Sequence, residues 1–99
     1  MSEKLLRLHA VIAGRVQQVG FRNFVEEAAD NLHLSGWVRN LYSGEVEVVA
    51  EGSELQLQQL SALLKTGPQL AYIRDYQEDY SPATGEYRSF QVRSTYIGD

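Results

Sequence analysis

Residues 14–24 read GRVQQVGFRNF, and residues 36–40 read GWVRN. These two short stretches carry Arg15, Arg22 and Arg39, out of 9 basic residues in the chain. In the first, Gly14 and Gly20 bracket a loop that leads into a helical pattern. Backbone N–H groups at a helix start have no intrahelical partner, and the helix dipole favours an anion there. A loop whose successive N–H groups curl inward makes a nest for a phosphate or carboxylate. Glycine permits the backbone angles that such a curl needs. Arg22 falls in the first helical turn, where its charge opposes the dipole by about 0.3–1 kcal/mol. An arginine kept against that preference suits a bidentate grip on an anion. An ordinary glycine loop ahead of an ordinary helix has the same composition, so the loop alone leaves both readings open.

In the second stretch, Val38 and Asn40 share a face if the strand is regular. Val38 reads as core, so Asn40 points to the same side near the strand end. Its amide can hold a water or a ligand oxygen. It can equally cap the strand or bind backbone in the turn that follows.

Other chemistries lack their residues. Cysteine is absent, which removes a thiol nucleophile and thiolate metal sites, and the 2 histidines, His9 and His33, stand apart. No metal site or cofactor is expected from such a ligand count. The net charge of −4 disfavours a nucleic-acid binder, which needs a basic face against phosphates. Tyr72 and Tyr76 would share a strand face, but EVEVVAE on the third strand lacks the aromatics of an RNA-reading sheet. The acidic clusters read as solvated faces.

The elements that must position these residues follow from periodicity. LRLHAVIA alternates, giving a first strand from Leu5 to Ala13 with Leu6, Leu8, Ala10 and Ile12 inward and Arg7 and His9 on a wetter face. FRNFVEEAADNLHL puts Phe21, Val25, Ala28 and Leu32 on one helical stripe, and Ser35-Gly36 ends it. WVRNLY is a second strand, Ser43-Gly44 a tight turn, and EVEVVAE a third strand. There Val46, Val48 and Ala50 face the core, while Glu45, Glu47 and Glu51 face water. Ser53 and Gln56 form a capping box for a second helix with a Leu57, Leu60, Leu64 stripe, stopped at Gly67-Pro68. A strand near Ala71 to Gln77, a polar SPATGEY loop and a last strand from Phe90 to Arg93 complete the chain.

The resulting order is β-α-β-β-α-β. Two singly striped helices cover one sheet face only, which predicts an α+β, ferredoxin-like α/β sandwich with a four-stranded antiparallel sheet. The 99 residues fit one domain, residues 1–99. No apolar run reaches the roughly eighteen residues of a membrane span. The N-terminal segment reads as a strand rather than a signal peptide. Without cysteines, a cytoplasmic protein is expected. It is read as a monomer, with no nucleic-acid or membrane partner.

GRVQQVGFR resembles the acylphosphatase signature, a glycine-bracketed V-Q-G-V-x-[FY]-R loop after a strand. GWVRN followed by SGEVEVVAEG resembles the second signature of that family, in the expected order and spacing. The resemblance implies metal-independent hydrolysis of a small-molecule acyl phosphate to a carboxylate and inorganic phosphate. It implies that Arg22 binds the substrate phosphate and that Asn40 orients the attacking water. It also implies that Arg15, Val16, Gln17, Gln18, Val19 and Gly20 form the cradle whose amides hold phosphate oxygens. A catalytically weak domain of the same fold, binding phosphate or a phosphorylated ligand, would use the same cradle. One position departs from the pattern: Gln18 stands where the family has glycine. If that position needs positive φ, a non-glycine residue costs about 1–2 kcal/mol there.

Overall fold

The alternation of LRLHAVIA becomes an inner strand. In the computed structural model, which describes residues 4–97, β1 spans Leu5–Arg15. It pairs antiparallel with β3 (Val46–Ser53) on one side and with β4 (Tyr72–Pro82) on the other. β2 (Ser35–Asn40) pairs antiparallel with β3, and β5 (Phe90–Val92) pairs parallel with β2. The order is β4-β1-β3-β2-β5.

Among the described residues, the sheet therefore has five strands and one parallel strand pair, where the sequence predicts four antiparallel strands. Both C-terminal apolar segments form strands, but on opposite edges. Residues 83–89 carry the chain across from one edge to the other, which delivers β5 parallel to β2. That crossing also explains Glu51. Alternation places it in water, yet it is only 5% exposed. Its carboxylate accepts from Arg7 Nε at 2.8 Å and from the backbone N–H groups of Thr84 and Gly85 at 3.0 Å each. Burial alone would raise its pKa. The Thr84 N–H, Arg7 and the Gly85 N–H together hold it below the usual carboxylate range.

Helices α1 (Phe21–Asn31) and α2 (Glu54–Thr66) cover one sheet face. Phe21, Val25, Ala28 and Ala29 of α1 and Leu57, Leu60 and Leu64 of α2 are buried against Leu8, Ala10, Ile12, Val38, Val46, Val48 and Ala50. The capping box is formed, with Ser53 and Gln56 bonding reciprocally. α1 ends earlier than the Ser35-Gly36 signal suggests. His33 adopts the left-handed φ of 59° and turns the chain, and Ser35 and Gly36 already belong to β2.

β4 holds one further correction. Ala13 faces Asp75 while Gly14 faces Ile73, so Arg74 is an extra residue on β4. This bulge reverses the alternation. Ile73 and Tyr76 both pack against the core, whereas Tyr72 is 71% exposed and does not share Tyr76's face. Among the described residues, no helix is long and apolar enough to cross a membrane.

Candidate active site

The loop between β1 and α1 is anchored at both ends. Val16 is 1% exposed and Phe21 2%, so both sit in the core. Gly14, just before it, has φ 132°, and a Cβ there would run into the Tyr72 carbonyl oxygen. Between the anchors the backbone takes two left-handed residues, Gln18 at φ 61° and Gly20 at φ 79°. Position 18 thus has the positive φ on which the cost of a non-glycine residue depends.

Gly20 is the N-cap of α1 and offers no side chain to cap the helix. Among the described residues, none of the backbone N–H groups from Val16 to Asn23 donates to a protein acceptor. Unpaired amides at the start of a helix, with no acidic residue in its first turn, make a local surplus of donors and positive potential.

A cleft of about 180 Å³ opens over this loop, lined by Val16, Gln18, Gly20, Phe21, Arg22, Asn23, Asn40 and Val92. Arg22 enters from the first turn of α1, and its Nη1 donates to the Arg93 carbonyl at 3.0 Å. Asn40 enters from the last residue of β2. Val38, two residues earlier on the same face, is fully buried. Asn40 is 8% exposed, and among the described residues its amide has no hydrogen-bond partner and no fully buried unpaired atom. Its remaining exposure is toward the cleft. It neither caps its strand nor binds the turn.

Of the expected cradle, Val16, Gln18 and Gly20 line the cleft together with Arg22 and Asn40. Arg15, Gln17 and Val19 do not. Arg15 ends β1 and is exposed, and Val19 packs against the core. The Gln17 side chain turns away to the β2–β3 connection. Asn23, Val92 and the Arg93 carbonyl were not indicated by the sequence patterns. Asn23 has a signal in hindsight, a polar residue beside Arg22 in an uncapped first turn. A main-chain carbonyl on a distant segment has none.

Arg39, the third arginine of the two motifs, lies on the opposite face. Its guanidinium stacks 4.4 Å from the Trp37 ring and 3.9 Å from Tyr96, and its Nε bonds Glu47 at 2.8 Å. Burial would raise the Glu47 pKa, but hydrogen bonds from His9 and Arg39 bring it below the ordinary value. Arg39 is thus committed outside the cleft.

The cleft therefore brings together one guanidinium, the unpaired backbone donors of the loop, and three carboxamide residues, Gln18, Asn23 and Asn40. This set can hold a tetrahedral dianion and orient a water. Among the described residues, none that lines the cleft carries a carboxylate or imidazole to act as a base.

The acylphosphatase family model matches residues 8–92. An acylphosphatase of Moorella thermoacetica is 41% identical over 91 residues, which is 92% of this chain and 97% of that protein. An acylphosphatase of Pseudomonas aeruginosa is 47% identical over 78 residues, 79% of this chain and 86% of that protein. The crystal structure of acylphosphatase from Bacillus subtilis superposes with a TM-score of 0.86 at 36% identity, covering 89% of this chain and 98% of that one.

Proposed function

The chain belongs to the acylphosphatase family and carries its activity, hydrolysis of an acyl phosphate, and from that premise we propose how its own residues perform it. The phosphate sits in the cleft on the amides of the loop and first helical turn, from Val16 to Asn23, with Arg22 supplying the full positive charge. The Asn40 amide holds a water in line with the phosphorus–oxygen bond to the acyl group. Water oxygen bonds to phosphorus, and the bond to the acyl oxygen breaks with its electron pair leaving on the carboxylate. The water proton passes to a phosphate oxygen of the substrate, since an amide does not accept it near neutral pH. The products are a carboxylate and inorganic phosphate, with no metal in the reaction.

Positioning accounts for the catalysis. The substrate is an activated anhydride with a stable leaving group, so alignment and charge stabilisation suffice, and these supply several kcal/mol of barrier reduction. The observation that carries the reading is the convergence of Arg22, Asn40 and the unpaired loop amides on one small cleft.

The test is hydrolysis of benzoyl phosphate with and without a chelator, beside an alkyl phosphate monoester. The reading expects equal rates with and without chelator, and little turnover of the monoester, whose alkoxide-type leaving group lacks an acid to protonate it. Loss of activity in chelator, restored by a divalent ion, overturns it.

A further inference from the structure

Gln17 lies within the loop yet turns its side chain out of the cleft. Its Nε2 donates to the Leu41 carbonyl at 2.8 Å and to the Glu45 carbonyl at 2.9 Å. One amide nitrogen thus spends both protons on the two ends of the β2–β3 turn. That turn is itself closed by the Leu41 N–H on the Glu45 carbonyl at 2.8 Å. Leu41 directly follows Asn40. Among the described residues, these two are the only side-chain hydrogen bonds that join residues 16–20 to the rest of the chain.

The geometry has a mechanical consequence. The loop is held at its ends by Val16 and Phe21, and Asn40 sits at the end of a different strand. Among the described residues, no other side-chain hydrogen bond of the loop ties the phosphate donors to the strand that carries the water-orienting amide. We infer that Gln17 is a positioning residue: its double bond to the turn sets the distance and angle between the phosphate cradle and the Asn40 amide. Its side chain touches neither phosphate nor water. The inference rests on the proposed role of Asn40. An amide is well suited to the task, because both N–H groups lie in one plane and meet two carbonyls without introducing charge beside a dianion.

Gln17→Met keeps the length and volume of the side chain but has no donor. In the Asn40-bearing protein it should lower kcat for benzoyl phosphate about ten- to a hundredfold, the scale of an ångström-size misplacement. The inhibition constant of inorganic phosphate should stay within about threefold, because the loop amides and Arg22 remain. In an Asn40→Ala background the same substitution should change kcat by less than about threefold, because the group it positions is gone. A purely structural role predicts otherwise: an equal loss in both backgrounds, or phosphate affinity falling in step with kcat. Either result overturns the inference, as does unchanged kcat in Gln17→Met. If Gln17→Met melts below the assay temperature, Gln17→Asn, with the amide on a stem one methylene shorter, is held to the same expectations. Full turnover in Asn40→Ala alone would instead defeat the role of Asn40 and this inference with it. Normal turnover in Gln17→Met beside a crippled Asn40→Ala defeats this inference only.

Discussion

The guanidinium of Arg22, in the first turn of α1, donates to the backbone carbonyl of Arg93 at 3.0 Å, just beyond β5. An arginine at a helix start would otherwise swing among many rotamers in water. The carbonyl leaves the other guanidinium N–H groups available to the cleft, while the parallel strand β5 keeps that carbonyl in place. The fifth strand thus has a role beyond sheet completion: it brings both the acceptor for Arg22 and the Val92 wall to the site.

Arg22→Ala should impair phosphate binding and turnover together, since its charge contacts ground and transition states alike. A fall in kcat/KM of about 10²–10³ is expected for removal of a charged donor to the reacting group. Inorganic phosphate should raise the melting temperature of the parent protein by linkage and have little effect on Arg22→Ala. Arg22→Lys should rescue only part, because an ammonium cannot satisfy the Arg93 carbonyl and a phosphate in one plane. Thermal shift with phosphate and steady-state kinetics check both. Undiminished phosphate stabilisation of Arg22→Ala speaks against the assignment.

Gln18 holds φ at 61° in a residue with a Cβ. The left-handed conformation costs a non-glycine residue about 1–2 kcal/mol. Gln18→Gly should release that strain and raise kcat/KM for an acyl phosphate, by about tenfold if roughly 1.4 kcal/mol is recovered at the transition state. Stability should move less, because glycine also adds unfolded-state entropy. Equal kcat/KM and equal phosphate inhibition in the two proteins would mean that the loop carries glutamine at no catalytic cost.

Glu51 and Glu47 both have carboxyl pKa values held below the ordinary range, Glu51 by the Thr84 N–H, Arg7 and the Gly85 N–H against its burial, Glu47 by His9 and Arg39 against its burial. A depressed native pKa means that the unfolded chain takes up its proton first as pH falls. Their stabilisation is therefore full above the unfolded carboxylate pKa of about 4.3 and is lost below it, as pH drops through the native values. Glu51→Gln should lower the melting temperature at neutral pH by removing charge-assisted bonds worth about 1–3 kcal/mol. It should also flatten the decline in melting temperature below about pH 4.3. Parallel melting curves for the parent and Glu51→Gln from pH 7 down to acid would contradict this account.

The core was legible because its periods are clean: the inner face of β1, the stripe of α2 and the Ser53–Gln56 box all appear where the sequence puts them. What escaped depends on partners far along the chain. Glu51 obeys alternation but is covered by residues 83–89, which no local pattern reveals. Tyr72 and Tyr76 separate because Arg74 bulges opposite Gly14, where the close approach of β4 admits no Cβ. The parallel pairing of β5 depends on β4 occupying the outer edge of β1, which leaves the edge of β2 at the other side of the sheet. In the site, type and spacing left Arg22, Asn40 and the glycine-bracketed loop open to more than one reading, and it was the resemblance to the family that singled them out together; the structure brings Arg22 and Asn40 to one cleft with Val16, Gln18 and Gly20. The outward turn of Gln17 and the Arg93 carbonyl were not legible, because each involves a main-chain acceptor from another element.

The central claim is that binding and water orientation reside in different side chains of one cleft, and Asn40→Ala tests it most directly. The measurement is steady-state hydrolysis of benzoyl phosphate together with the inhibition constant of inorganic phosphate for the same variant. The account predicts a kcat about 10²–10³ lower with the phosphate inhibition constant within about threefold, since the loop amides and Arg22 are untouched. Near-normal kcat, or a loss of phosphate affinity as large as the loss of turnover, would contradict it.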